Sequence, residues 1–431
     1  MTVKDAGRAK VLQVVMRGRS GATIDLTDYT AYIQIYESIF EKTMSAKIGL
    51  IEGLNIKRHF SINGDELVTI KFQTIGFEDE STYEVTLQSY KLSGPDYVSD
   101  NDHAYAIYLE SPIVYRNKNK RVSVPFDDRG DVIVKKVFDR YLNDGSTKSQ
   151  LFFGPAVFNN IKFITPMWRP LQTIDYVTKR CLNAPPNSDP TYIFFQTVDG
   201  YFFTNMAQLS SQSPFATYTY HLTSTSTNSK SSFDSFFKIH GLNFGNMFDR
   251  LAQTEMGVFN GTLLSHDITK KTASPGSVYN YSTQFERQTH VEKHKIIADS
   301  NEDFTGHALQ RRTYVPKSSF RHDNMSDTDL YEGWMLQRQS MMNQYYSNSV
   351  TIDVPGNTLL RAGQVLNLDI PAPEPSADGK DWKDPYLSGK YIVAYLTHTI
   401  TTLGGNSEYM SSMELIRDSL PLALPDTKEM E

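Results

Sequence analysis

Cysteine is almost absent: the 431 residues hold one, Cys181. A lone thiol excludes internal disulfides and any cysteine-rich zinc or iron–sulfur site. Long apolar runs are missing too. No stretch approaches the roughly 18 residues that a membrane-crossing helix needs, and the opening MTVKDAGRAK lacks the apolar centre of a signal peptide. Charge of one sign is not concentrated anywhere, with 43 Lys and Arg against 49 Asp and Glu, a net −6. Sequence-independent nucleic-acid binding draws on basic surface that displaces counterions, so tight phosphate binding is not expected. These absences predict a soluble chain made in a reducing cytoplasm, with no membrane insertion. Tryptophan is scarce, at 3, whereas Tyr and Phe number 25 and 24. Their rings suit pleated, half-buried surfaces and protein interfaces, which points to a β-rich chain with large contact faces.

The first hundred residues read as strands. Tyr32, Ile33, Ile35 and Ile39 begin one segment, and Ala46, Ile48 and Leu50 alternate in the next. Asn63-Gly64-Asp65 turns into Leu67, Val68, Ile70 and Phe72, and two more strands hold Val85 and Leu87, then Ile107 and Leu109. Such a run without helices predicts an antiparallel barrel or sandwich. After Phe126 the spacing of Val134, Val137, Phe138 and Tyr141 predicts a helix capped by Asp127 or Asp128. A second helix follows Pro170, carries Leu171, Ile174, Val177, Cys181 and Leu182, and stops at Pro185-Pro186. Asp199-Gly200 then joins two aromatic strands in YIFFQTVDGYFF (192–203), a hairpin signal. Residues 221–232 read as an exposed connector, and 233–320 as an irregular insertion. A third helix is predicted from Ser326 or Asp327 to Tyr346, burying Leu330, Trp334, Met341 and Tyr345. Strands resume at 350–354 and 365–368, and 371–386 is a Pro- and Asp-rich loop. Tyr391–Ile400 and Tyr409–Ile416 close the chain.

No catalytic set stands out. His290-Val-Glu-Lys-His294 has zinc-protease histidine spacing, but Val291 stands where the glutamate base belongs. A solvated surface without metal is expected there. Arg129-Gly130-Asp131 spells an adhesion tripeptide, yet it falls at a predicted helix start. Glu110, Asp127 and Asp128 are carboxylates that a hydrolase would need to pair, and nothing in the sequence brings them together. Lys118, Lys120 and Arg121 read as a solvated turn, and Cys181 as a buried structural thiol. The glycosylation-like Asn260-Gly-Thr262 and Asn280-Tyr-Ser282 have no route to modification without a signal peptide. No catalytic, cofactor or metal residues are assigned.

An internal echo is present. Gly64 to Val68 and Gly363 to Asn367 each turn into a strand. Tyr83-x-Val85 and Tyr391-x-Val393 follow, and Leu109-Glu110 and Glu414-Leu415 close each series. The ordered series of the helix after Phe126-Asp-Asp, the aromatic hairpin, the long helix, VPGNTLLRAGQVL (354–366), SGKYIV (388–393) with His398, and MELIRD (413–418) resembles the baseplate hub proteins of contractile-tailed bacteriophages, related to the hub portion of type VI secretion spikes. The likeness spans about 30–110, 112–205 and 330–418, and is poor in 233–320. The resemblance implies a mainly β, α+β chain with two similar tube-forming antiparallel β-barrel domains, at 1–110 and at 216–250 with 345–418. An α+β domain would occupy 111–215, an insertion with the long helix 251–344, and a tail 419–431. It also implies a non-enzymatic homotrimeric ring that joins a sixfold tail tube to a threefold spike and forms the channel for DNA ejection without specific DNA binding. The partners implied are a separate trimeric spike protein, tube or tube-adaptor proteins and a tape-measure protein. The location implied is the virion baseplate, assembled in the host cytoplasm. Turn and tube-strand positions under this reading are Gly64, Leu67, Ile70, Gly200, Gly356, Gly363, Val365, Val393 and His398. The alternatives are the hub of a contractile toxin-delivery particle or a cell-wall hydrolase with an unrecognised carboxylate pair.

Overall fold

A computed structural model describes the chain except residues 1–5, 54–55, 57–59, 61, 77–81, 95, 99–101, 147–148, 186–187, 221–231, 246–248, 268–270, 297–311, 317–332, 347, 373–382, 403–406 and 424–431. The first strand set runs β1 (Ala9–Arg17), β2 (Thr23–Asp25), β3 (Thr30–Ser38), β4 (Ser45–Glu52), β5 (Leu67–Thr74), β6 (Thr82–Leu92), β7 (Asp96–Tyr97) and β8 (His103–Glu110). Period-two alternation is what makes these strands: Ile33 and Ile35, Ile48 and Leu50, Val68, Ile70 and Phe72 point into one core. β1 had no place in the sequence reading. Its ladder with β5 is offset between Val11 and Gln13, which leaves Leu12 partly exposed and breaks the alternation.

The middle of the chain builds a separate core. Helix Pro112–Asn119 holds Lys118 in its last turn, while Lys120 and Arg121 of the expected basic turn follow its end and are exposed, as expected, Lys120 in extended backbone. β9 (Pro125–Arg129) comes next and pairs with β11 (Asn160–Ile164), while β10 (Leu151–Phe153) lies beside β13 (Gly200–Asn205), itself the hairpin partner of β12 (Tyr192–Thr197). Asp127 and Asp128 therefore sit in a strand and cap nothing. The helix starts at Gly130, runs to Val137 and widens to a π turn over Phe138–Leu142. The next helix, Pro170–Thr178, ends before Cys181 and Leu182, which are buried beyond it. Ile133, Val134, Phe138, Ile174, Tyr192 and Phe203 close this core.

The second set starts with β14 (Thr217–Tyr220), β15 (Lys238–Ile239) and β16 (Gly241–Phe244). The expected connector at 221–232 lies almost wholly outside the described residues. The expected irregular insertion is instead built on a small sheet: β17 (Asn260–Asp267) is flanked by β18 (Thr272–Asn280) and β19 (Arg312–Pro316), with Phe259, Leu263 and Phe285 packed on Leu336. The long helix is described from Met335 to Gln344, with Trp334, Met341 and Tyr345 buried; Ser326, Asp327 and Leu330 lie outside the described residues. β20 (Asn348–Pro355), β21 (Val365–Asp369), β22 (Gly389–Thr401) and β23 (Glu408–Arg417) complete the chain.

Both sets repeat one wiring. In chain order β1, β3, β4, β5, β6, β8 correspond to β14, β16, β20, β21, β22, β23. Their spatial orders are β3-β4-β8-β6-β5-β1 and β16-β20-β23-β22-β21-β14. All pairings agree in sense except the last, antiparallel for β5 with β1 and parallel for β21 with β14. Even a bulge recurs: the β6–β8 register shifts between Ser89 and Lys91, and the β22–β23 register between Val393 and Tyr395. The ladders shift the echo seen in sequence. Glu66 matches Gln364, because each accepts from a backbone N–H three residues earlier (Asn63, Arg361), and the carbonyl of each accepts from Ser89 or Val393. Gly64 therefore stands one position off Gly363, and Tyr391 and Val393 match Leu87 and Ser89, not Tyr83 and Val85. The chain is mainly β with α+β character, as expected. The ladders form no closed barrel among the described residues; β22 pairs with β3 and fuses the two sets into one 15-stranded sheet.

Candidate functional site: the junction of the two strand sets

β22 is 13 residues long, and its edge is shared. Gly389–Ile392 pair with β21, and Tyr395–Thr401 pair with β3. Under this crossing, polar groups replace the apolar file. Glu37 continues the file of Ile33 and Ile35 on the core side of β3 and is fully buried. Its carboxylate accepts from Tyr83 Oη at 2.9 Å, from Val198 N at 3.2 Å in the aromatic hairpin turn, and from Ala362 N at 3.1 Å. Burial raises its pKa against the opposing pull of Arg361 and these donors. Arg361 lies over the Tyr83 ring, its Cζ 5.4 Å from the centroid, and its Nε donates to Asp199 at 2.8 Å. One carboxylate thus ties the first set, the hairpin and the second set together.

The sequence-selected positions divide around this junction. His398 lies opposite Ile35, with Nδ1 2.8 Å from Tyr409 Oη; burial and then Arg361 push its pKa down to about 3, so it is neutral. A Cβ on Gly356 would fall 2.1 Å from the Tyr409 ring, and Gly363 holds φ +89 against Phe195. Val365 and Val393 are fully buried, in the core between sets and the core of the second set. Gly200 (φ +144) closes the hairpin turn beside Asp199, while Gly64 (φ +98) and Ile70 belong to the first set and Leu67 is partly exposed at the start of β5. Glu37 has no place in the sequence reading, and Tyr83 and Arg361 enter it only within the echo and the run 354–366, not as site residues. The signal was there for Glu37, which shares the parity of Ile33 and Ile35.

His290 and His294 are not a solvated surface. The His290 side chain is 6% exposed, with Nδ1 2.7 Å from Asp418 Oδ2, Nε2 2.8 Å from the Phe285 carbonyl, and its ring stacked 3.6 Å from Phe285. Burial lowers its pKa, but Asp418 and the carbonyl reverse this and raise it. The His294 backbone exchanges hydrogen bonds with Leu420, so the segment is laced to the end of β23. Arg129-Gly130-Asp131 does sit at a helix start, where Gly130 faces Cys181; a Cβ there would meet its sulfur at 2.2 Å. The thiol donates to the Val177 carbonyl, and burial raises its pKa. Each hydrolase candidate has its own partner: Glu110 accepts from Thr43, Asp127 pairs with Lys162 and Asp128 with Lys136. A cleft of about 660 Å³ between the first set and the middle core is lined by Glu84, Tyr115, Arg116 and Asp144, and Asp144 is bound to Arg116 at 2.9 Å.

No family model and no curated protein matches this chain in sequence. Solved structures match in fold. The tail protein from Neisseria meningitidis MC58 has TM-score 0.55 at 11% identity, over 96% of this chain and 99% of that one. The 43 kDa tail protein of prophage MuSo2 from Shewanella oneidensis has TM-score 0.53 at 9% identity, over 95% of this chain and 100% of that one. The Francisella PdpA-VgrG complex in its lidded form has TM-score 0.50 at 9% identity, over 98% of this chain but 55% of that one. The chain shares its fold with these two tail proteins and with part of the PdpA-VgrG complex.

Proposed function

We propose that this chain is the structural hub of a phage tail baseplate, a trimeric ring between a sixfold tail tube and a threefold central spike. The observation that carries this is the repeated six-strand wiring. A threefold ring meets a sixfold tube when each subunit offers two similar edges, and one chain here holds two sets in the same strand order. The fold likeness to two whole tail proteins supports the location, a virion tail; assembly in the host cytoplasm belongs to the same proposal. Partners on this reading are a separate trimeric spike protein, tube or tube-adaptor proteins and a tape-measure protein, with DNA passing through the channel unbound. The role is non-enzymatic, supported by carboxylates that are each engaged in their own bond. Electron microscopy and solution mass of the purified chain test this. A ring of three with an axial channel is expected, and a dimer, a tetramer or a particle with no channel overturns it.

The likeness to the VgrG complex favours a second reading, the hub of a contractile toxin-delivery particle. Genes for a capsid and portal beside this one support the phage reading; their absence beside sheath and toxin genes supports the other. A cell-wall hydrolase is the reading from another class, and clearing of cell wall in a zymogram would establish it against both.

A further inference from the structure

We infer that a second copy of this chain seats its β16 edge on the open edge of β6 and β7, repeating between chains the β22–β3 ladder that joins the two sets within one. Only the closed number of copies rests on the hub reading; the pairing rests on the repeat.

The repeat states what each strand lacks. β22 runs past the end of β21 after its bulge, and its freed edge is covered by β3. β6 likewise runs past the end of β5 after its bulge and continues along β8 as β7. Among the described residues no strand covers that side of Lys91–Leu92 and Asp96–Tyr97. The counterpart of β3 is β16, whose described pairing is with β20 alone. Each set therefore has one unfilled half of the same joint, and the two halves differ in kind, so copies add head to tail.

Register comes from the shared partners. Tyr97 lies opposite His103 as Ile400 lies opposite Tyr409, and Asp96 opposite Ala104 as Thr399 opposite Met410. Across the other strand, Asn243 stands where Gln34 does and Leu242 where Ile33 does. Within the chain Thr399 faces Gln34 and Ile400 faces Ile33. Between chains Asp96 should then face Asn243, and Tyr97 should face Leu242. Burial agrees: Ile400, with its edge covered, is 0% exposed, whereas Tyr97 is 76% exposed and Val98 beside it 60%. Uncovered apolar side chains on an open strand edge are what a partner strand removes from water.

The test is cysteine pairing in the full chain, whose one native thiol is buried. Asp96→Cys and Asn243→Cys are purified separately, mixed and oxidised, and Gln34→Cys with Thr399→Cys in one chain serves as the internal ruler. The mixture should give at least tenfold more linked dimer than either variant alone, and a chain carrying both 96 and 243 substitutions should close at three linked copies. Rings of three without this link overturn the edge assignment and leave the hub reading standing. Links that build an open ladder uphold the edges and overturn the ring. No assembly and no link overturns both.

Discussion

Glu37 illustrates how one side chain can decide a fold of this size. A buried carboxylate holds three donors from three parts of the chain, and removing it leaves those donors without an acceptor. Glu37→Ala should cost about 3–5 kcal/mol in urea unfolding, and Glu37→Gln, which keeps one acceptor oxygen, about 1–2 kcal/mol. The histidines should bend stability at opposite ends of the pH range. His290 has a folded pKa above the ordinary 6.5, so its contribution is complete below that value and lost as pH rises through the raised one. His398 has its folded pKa near 3, so the unfolded chain takes up a proton that the folded chain refuses, and stability falls as pH drops from 6.5. Each limb can slope by up to about 1.4 kcal/mol per pH unit. Denaturation midpoints from pH 4 to 9 should flatten on the alkaline side in His290→Gln and on the acid side in His398→Gln. If neither limb moves, the two ring environments are misread. Parity along β3 was enough to place Glu37 in a core file. Its partners lie 46, 161 and 325 residues away, and no local pattern carries that information.

At the level of strands and helices, the glycines mark where backbone must come close. Gly356→Ala would drive a methyl into the buried Tyr409 ring and should cost about 1–3 kcal/mol. Gly200→Val should be worse, because φ +144 is hostile to a β-branched residue and its Cβ would meet the Gln150 carbonyl at 2.6 Å. Wild-type melting of either variant would show that these turns relax freely. The hairpin was plain in sequence since Asp-Gly between alternating aromatics has one good solution. The aspartate cap was misplaced because Asp127 and Asp128 serve the β9–β11 ladder, and packing against Cys181 sets the helix start at Gly130. The small sheet of β17 to β19 is hard to read in sequence because its strands are rich in Asn, Ser and Thr, and much of its apolar packing comes from Val258, Phe259, Phe285 and Leu336 outside the ladder.

Across the whole molecule, strand wiring was legible as an echo, while its register was not: Glu66 and Gln364 fix the offset by hydrogen bonds that different side chains can make. Nor did alternation reveal that the two sets share a strand, since β22 is buried on one face in either case. Residues 1–110 expressed alone should therefore aggregate, with β3 stripped of β22 and Glu37 of its distant donors; a soluble monomer at high concentration would count against the junction. The same shared strand sets a clock during synthesis. β3 leaves the ribosome before β22, whose partner residues 395–401 are added more than three hundred residues later. At about 5–20 residues per second the nascent chain carries that open edge for roughly twenty to seventy seconds. Ladder closure cannot begin before the message for β22 is read, so a ribosome stalled between β3 and β22 holds a half-built sheet, and the interval itself becomes the period in which chaperone protection matters.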